Sequence, residues 1–182
     1  MIDWNKYQAE ALTTAIYPLE RELDYTILGL CSEVAEVAEL VSPPNTMGAT
    51  ATEVAASMKS ETGDCFWYAA AVADALKVPL QDVWDNRIYD AERCAPQIIA
   101  VELVVQSGLM AGLLKKAIRD DAGVLTPDRK AKMLLALGAV LSELNALSVS
   151  IGSSAHAVTQ ANLNKLSDRK QRGVLGGSGD AR

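Results

Sequence analysis

Two pairs of acidic residues have the spacing that places side chains on one side of a helix. Glu33 and Glu36 lie in "GLCSEVAEVAEL", and Glu61 and Asp64 lie in "KSETGDCFWYAAAVADAL". On neighbouring helices, two such pairs could face each other. Four ionised carboxylates at close range repel one another unless a divalent cation lies between them, and oxygen-only ligands favour Mg²⁺ or Mn²⁺ over zinc. The spacing therefore predicts a divalent-metal site formed by these four residues.

The second acid pair interrupts the apolar face of its helix. Sorted at about 100° per residue, this face contains five apolar residues: Val54, Met58, Cys65, Val72 and Leu76. Glu61 falls inside the stripe and Asp64 lies at its edge, which is costly for a carboxylate without a charge partner. A single ExxE pair is usually part of a solvated face, so a fully solvated arrangement stays open as the alternative.

The chain predicts an all-α fold, because apolar residues recur at helical spacing and no sustained alternating pattern of β-branched residues occurs. Breaks fall at proline and glycine clusters such as "SPPNTMGAT" and "DDAGVLTP", which are typical of loops. Helices are predicted over seven ranges: 3–17, 22–41, 51–77, 80–94, 97–119, 127–149 and 154–170.

The two halves of the chain resemble each other weakly, as an internal repeat would. Gly63 aligns with Gly138, and Asn86 aligns with Asn162 with an offset of one residue. Alanine stands in the second half where the second acid pair would recur. Two Ala/Leu-rich helices can imitate a repeat by composition alone, so this alternative stays open.

The repeat predicts how the chain is organised. Residues 1–94 form the first repeat with the metal site, and residues 95–170 form a degenerate second repeat that packs on the first as one domain. Together they predict a helical bundle that behaves as a pseudo-dimer. Residues 171–182 form a Gly-rich tail.

Composition narrows the classes of function. The chain has 182 residues, 49% of them hydrophobic, and a net charge of −6. An acidic chain argues against nucleic-acid binding through phosphate neutralisation, which requires a basic surface. Cys31, Cys65 and Cys94 follow no metal-binding or disulfide pattern, so we expect small buried side chains in a reducing compartment.

No apolar run of about 18 residues stands out in the sequence, and the N-terminal "MIDWNKYQAEALTT" has no apolar signal region. We therefore expect no membrane association and a cytoplasmic location.

The acid pairs and their flanks resemble a known family. The chain shows Glu33-x-x-Glu36, then 24 intervening residues, then Glu61-x-x-Asp64. This pattern, the leader "NKYQAEALTTA" and the ending "NLNKLSDRKQRGVLGGSGDAR" resemble the MazG-like all-α nucleoside triphosphate pyrophosphohydrolases. That superfamily includes dimeric dUTPases, dCTP pyrophosphatases and phosphoribosyl-ATP pyrophosphohydrolase.

The resemblance implies a reaction and a set of residues. The reaction is hydrolysis of a (deoxy)nucleoside triphosphate to the monophosphate and pyrophosphate. The two acid pairs would be catalytic and would hold Mg²⁺, or Mn²⁺ as the alternative, although one acid could instead act as the base on water. The resemblance also implies five substrate-binding residues: Tyr68, Asn86, Asn162, Lys165 and Arg169.

Simpler roles remain open for several of these residues. Tyr68, which could stack on a base, could equally be part of an aromatic core, and the cations near the C-terminus could be solvated. Lys59 lies on the far face of an ideal helix and is expected to be solvated, Trp67 is expected to pack, and His156 is expected at the surface.

The chain departs from the family in one respect. Relatives run from "DVW..N" directly into "KL..R", whereas here about 75 residues separate the two elements. Since typical relatives are homodimers, the second repeat could act as a built-in partner, which predicts one functional metal site per chain. Further homodimerisation stays open, as do two other functions: a nucleotide sensor without turnover and a helical interaction module.

Overall fold

All of the regular structure in the described ranges, residues 2–42, 47–87 and 95–176 of a computed structural model, is helical. These ranges contain seven α-helices, a short 3₁₀ turn at Leu19–Arg21 and no strand. The prediction of an all-α fold is confirmed. The helices are α1 (Trp4–Leu12), α2 (Glu22–Leu40), α3 (Ala51–Ala75), α4 (Leu80–Asp85), α5 (Pro96–Asp120), α6 (Pro127–Ser150) and α7 (Ala155–Gln171).

Two helices are shorter than the sequence predicts. The helix predicted over 3–17 ends at Leu12. The hydroxyls of the next two residues, Thr13 and Thr14, each donate a hydrogen bond to the carbonyl three residues back. Such side-chain bonds compete with helix continuation. The helix predicted over 80–94 ends at Asp85, and residues 88–94 lie outside the described ranges.

Side chains at the helix ends explain why the long helices begin and stop where they do. Thr50 and Glu53 form a reciprocal capping box at the start of α3, and the Thr126 hydroxyl accepts a hydrogen bond at the start of α6. These caps satisfy backbone N–H groups that have no helical partner. α6 and α7 end next to Gly152 and Gly173, whose φ angles are +73° and +72°, a conformation that favours glycine.

Four long helices make the body of the bundle. α2 packs against α3, α5 packs against α6, and the two pairs meet through α2 with α5 and α3 with α6. α7 lies along α3, while α4 contacts α6 and α1. The centre is apolar and includes Leu30, Phe66, Leu103, Met133 and Leu141, each fully buried.

A buried glutamine attaches α1 to the rest of the bundle. The Gln8 amide donates to the carbonyls of Ala70 and Val78, and its Oε1 accepts from the Leu80 N–H at 2.9 Å. One side chain thus joins α1 to the end of α3 and the start of α4. Trp4 adds ring contacts on the same side, with its centroid 5.6 Å from Phe66.

Residues that were expected to do no chemistry behave largely as predicted. Trp67 is buried and donates its Nε1–H to a carbonyl of α1, which confirms its packing role. Cys65 is buried and Cys31 half-buried, both as free thiols, whereas Cys94 lies outside the described ranges. His156 is exposed on the first turn of α7, as expected.

Two glycines permit reciprocal close contacts between the halves. A Cβ added at Gly63 on α3 would lie 2.9 Å from the Cβ of Asn162 on α7, and one at Gly138 on α6 would lie 3.3 Å from the Cβ of Arg87 after α4. The two glycines are 75 residues apart, and so are their two contact residues. If the predicted repeat exists, this spacing puts Arg87 rather than Asn86 in register with Asn162. The internal duplication itself stays a prediction.

Two of the described helices are long and apolar enough to cross a membrane by length and composition. α5 and α6 contain windows of mean hydropathy 1.7 and 1.6, of which 33% and 72% are buried in the fold. Neither helix contains a long unbroken apolar run, because a few polar residues divide each one. A core helix of a soluble protein passes the same test, so the expectation about membranes stays a prediction.

We expect Gln8→Leu to lower the free energy of unfolding by about 1–3 kcal/mol, because it leaves the buried Leu80 N–H without its acceptor. Urea unfolding followed by circular dichroism measures the change. Gln160→Leu is the matched control, since Gln160 is exposed and its side chain bonds within α7, and its effect should stay within about 0.5 kcal/mol. Equal effects of the two substitutions would show that Gln8 does not anchor α1.

Candidate metal centre

Three of the four predicted acids converge between α2 and α3. Glu33, Glu61 and Asp64 each offer a carboxylate oxygen that lies within 4.8 Å of the others, and all three side chains are half-buried. They come from two helices that pack directly on each other. The fully solvated arrangement does not occur for these three residues.

The apolar stripes of the two helices fix where the acids lie. On α2, Leu30, Val34 and Val37 are buried on either side of Glu33. On α3, Met58 and Cys65 are buried one turn before and one turn after Glu61. Because both stripes face the core, the acids that border them are brought toward each other at the seam between the helices.

Glu36 lies outside the group of three. It is exposed one turn along α2 and lines an open cleft of about 540 Å³, which also contains Glu39 and Glu61. Its charge still reaches the centre, since it helps to raise the pKa of Glu33. The structure therefore places Glu36 at the mouth of the site, next to solvent.

Burial and crowding change the protonation of Glu33. Burial, followed by the charges of Asp64, Glu36 and Glu61, raises the pKa of this carboxyl to about 8, against an opposing effect of Lys165. Both main causes disfavour the ionised form. Without a cation, Glu33 therefore keeps its proton near neutral pH, and a bound divalent ion would take the place of that proton.

α7 supplies the partners of Asp64. The Asn162 Nδ2 donates to one carboxylate oxygen of Asp64 at 2.7 Å, and the Lys165 Nζ donates to the other at 2.6 Å. Gly63 makes this possible, because a Cβ at that position would press on Asn162. Two residues that the sequence assigned to substrate binding thus meet the acidic group directly.

A small cationic pocket opens beside the acids, between α3 and α7. It has a volume of about 210 Å³ and is lined by six residues: Ala56, Lys59, Ser60, Ala161, Asn162 and Lys165. Lys59 is half-buried on the flank of α3 that faces α7, and the expectation that its ammonium group is solvated stays a prediction. The Lys165 Nζ also donates to the Ser60 Oγ at 3.0 Å, a contact that the spacing of acids did not indicate.

Two buried polar atoms lie without hydrogen-bond partners in the described part of the chain. They are the Asn162 Oδ1 and the Tyr7 hydroxyl. Burial raises the pKa of Tyr7 well above its usual range, and the charge of Asp64 adds to the effect, so this hydroxyl lies within electrostatic range of the acids. The spacing of the acids does not indicate Tyr7, whose only signal in the sequence is its place in the leader segment.

Tyr68 is held by α2 and by neighbouring rings. A Cβ at Gly29 would lie 2.0 Å from its ring, so the ring covers the backbone of α2 at the one position where no side chain intervenes. Its centroid lies 4.9 Å from Trp67 in an edge arrangement and 6.3 Å from Tyr25. Tyr68 is half-buried, and its role in stacking on a base stays a prediction.

Asn86 and Arg169 occupy different surroundings. Asn86 is exposed at the end of α4, and its Nδ2 donates to the Asp82 carbonyl, so its side chain bonds within its own turn rather than to the acids. Arg169 lies one turn beyond Lys165 on α7 and is only 4% exposed. The structure thus brings Asn162 and Lys165 to Asp64, and it buries Arg169 one turn further along α7.

The group of acids fits a small hard cation. Mg²⁺ binds oxygens at about 2.0–2.1 Å in octahedral geometry, so oxygens on one ion lie about 2.9 Å apart when adjacent and about 4.2 Å apart when opposite; the three carboxylate oxygens lie within 4.8 Å of one another. The donor set consists of anionic oxygens, which suit Mg²⁺ and Mn²⁺. To bind one ion, the acid side chains would have to approach one another by up to about 2 Å.

Comparison with known proteins identifies a relative. No family model matches the chain, and no solved structure matches it. The Gene 37 protein of Mycobacterium phage L5 is 39% identical over 84 residues, which make up 46% of this chain and 74% of the phage protein. On this similarity, the chain belongs to the same protein family as the Gene 37 protein of Mycobacterium phage L5.

Proposed function

We propose that the chain is a Mg²⁺-dependent nucleotide pyrophosphohydrolase that converts a (deoxy)nucleoside triphosphate to the monophosphate and pyrophosphate. The observation that carries the proposal is the convergence of Glu33, Glu61 and Asp64 within 4.8 Å beside a pocket lined by lysines. A polyphosphate substrate requires acidic side chains that bind its metal ion and, beside them, cations that bind its phosphate oxygens. The resemblance of the acid pairs to MazG-like enzymes supplies the reaction.

The acids have distinct tasks in this proposal. Glu33, Glu61 and Asp64 hold the metal, which when bound polarises phosphoryl oxygens and lowers the pKa of a coordinated water. Glu36, exposed at the mouth of the cleft, is the member of the four that is open to water. It either completes the ligand set or accepts the proton of the attacking water.

The pocket between α3 and α7 receives phosphate oxygens. Lys165 already holds its ammonium group between Ser60 and Asp64, and Lys59 lines the same pocket. Charged hydrogen bonds from lysine to phosphate are strong in such partly buried places. Asn162 keeps Asp64 oriented through its Nδ2, and Tyr68 would pack on the base.

The second half of the chain serves as a built-in partner with a degraded site. The reciprocal contacts of Gly63 with Asn162 and of Gly138 with Arg87 are what two repeats related by a pseudo-twofold axis would make. In a repeat of 75 residues, Ala136 and Ala139 would correspond in sequence to Glu61 and Asp64. The proposal is therefore one functional metal centre per chain. Two equivalent, independent metal sites per chain in a calorimetric titration would contradict it.

We expect Glu61→Gln to lower the rate of pyrophosphate release by at least about 100-fold, because it removes an anionic ligand at the reacting phosphate. The rate is measured with Mg²⁺ on a panel of dNTPs and NTPs, and circular dichroism checks that the helices stay folded. Glu39→Gln is the matched control, because Glu39 lies exposed on the rim of the same cleft. That variant should keep nearly the full rate.

The same panel separates the other functions. Tight nucleotide binding without release of pyrophosphate would favour a sensor, and neither binding nor release would favour a helical interaction module. Release that Glu61→Gln leaves unchanged would remove this acid from the mechanism.

We expect the metal-free protein to become less stable as the pH rises from about 5.5 to about 8. The pKa of Glu33 is raised from 4.5 to about 8 in the folded state, so the fold keeps a proton that the unfolded chain releases. The stability from this group is complete below the unfolded pKa and is lost as the pH passes the folded pKa. Urea unfolding at both pH values measures the loss.

Mg²⁺ should restore stability at about pH 8 more than at about pH 5.5, because only ionised Glu33 can bind it. Glu33→Gln should flatten the metal-free pH dependence and weaken the effect of Mg²⁺, whereas Glu39→Gln should change neither. If Mg²⁺ stabilises the protein equally at both pH values, Glu33 is not a ligand.

A further inference from the structure

The outer face of α5 is apolar over its first four turns. Ile98, Val101, Val105 and Leu109 are 55%, 60%, 46% and 54% exposed, while the opposite face of the helix is buried against α2 and α6. The face continues into an apolar groove of about 340 Å³ that reaches the end of α2. Contiguous apolar surface of this kind usually marks an interaction site.

Two glycines give this face a pattern of high and low relief. Gly108 and Gly112 follow the larger residues at helical spacing on the same face, and a Cβ at either one would meet nothing within 4 Å. The face is therefore raised at Ile98, Val101 and Val105 and low at Gly108 and Gly112, with Leu109 standing between the two glycines. Small residues on a helix surface allow a second helix to approach closely.

The order of large and small residues on this face is complementary to the same order in a second α5 that runs in the opposite direction. If a second α5 lies antiparallel with its midpoint between Val105 and Gly108, then Val105 of each copy meets Gly108 of the other. In the same register, Val101 meets Gly112. A twofold interface requires this kind of self-complementarity, in which each pair of contacts occurs twice.

The charges on the face agree with the same register. Glu102 is an exposed acid on the N-terminal half, and Lys115, Lys116 and Arg119 lie exposed toward the C-terminal end. Helical side chains lean toward the N-terminus of their own helix, so Glu102 of one copy and Lys116 of the other lean toward each other in an antiparallel pair. A lipid surface would offer Glu102 no cation in the middle of the apolar half.

We propose that two copies of this chain associate through α5, antiparallel, with valines packed over glycines and Glu102 paired with Lys116 of the second copy. The dimer is separate from the internal repeat and does not depend on the proposed enzymatic activity. The buried opposite face of α5 argues against a membrane-spanning role, because that face is already part of the bundle.

Sedimentation equilibrium of the full chain over a range of concentrations tests the proposal. Wild type should dimerise, and Leu109→Glu and Gly108→Leu should each weaken self-association at least tenfold, with unchanged circular dichroism. Leu135→Glu is the matched control, because Leu135 on α6 is 51% exposed and lies off this face; it should leave the dimer intact. A monomeric wild type, or equal weakening by Leu135→Glu, would overturn the proposal.

A charge exchange tests the register. Glu102→Lys and Lys116→Glu should each weaken the dimer, and the double variant should regain most of the lost affinity. Additive weakening in the double variant would overturn the antiparallel register. Flotation of the wild type with anionic or neutral phospholipid vesicles, abolished by Leu109→Glu, would show that a lipid surface rather than a second copy occupies the face.

Discussion

The mutual repulsion of carboxylates at the seam of α2 and α3 is the constraint on which the rest of the site depends. Glu33, Glu61 and Asp64 lie within 4.8 Å of one another in a half-buried position, where ionised acids are costly. The chain relieves the repulsion in two ways without a metal: Lys165 pairs with Asp64, and the raised pKa of Glu33 lets it keep a proton. Lys165 adds a positive charge and the proton on Glu33 removes a negative one, so both lower the net negative charge of the group. The packing of α2 against α3 therefore creates a site where a bound cation would be electrostatically favourable.

The scaffold around the acids serves to keep this strained group together. α7 reaches Asp64 only because Gly63 leaves room for Asn162, and the cap at Ser154 sets where α7 begins. On the other side, Gly29 allows the ring of Tyr68 to lie on the backbone of α2, which fixes the distance between the two acid-bearing helices. Close helix approaches at glycine thus lie on both sides of the centre.

The sequence predicted the parts of this arrangement that depend on local periodicity. The seven helices follow from apolar spacing and from the breaks at proline and glycine clusters, and Glu61, predicted inside the apolar stripe of its helix, lies at the seam. What could not be predicted depends on tertiary packing. The periodicity of α3 did not reveal the pocket between α3 and α7 that Lys59 lines. Glu36 looked equivalent to Glu33 because spacing alone does not say how far the seam extends. Tyr7 approaches the acids only through the docking of α1.

The proposed duplication would explain how a bundle of this size tolerates an acidic centre. The first half places three acids at its seam, whereas the second half has Ala136 and Ala139 at the corresponding positions, 6% and 3% exposed. Small apolar residues there allow α6 to be buried along most of its length, and burial of apolar surface is the main source of stability. A symmetric pair of acidic centres would double the electrostatic cost and remove that compensation. In the proposed asymmetric pair, one half would provide the chemistry and the other would provide the packing that holds it in place.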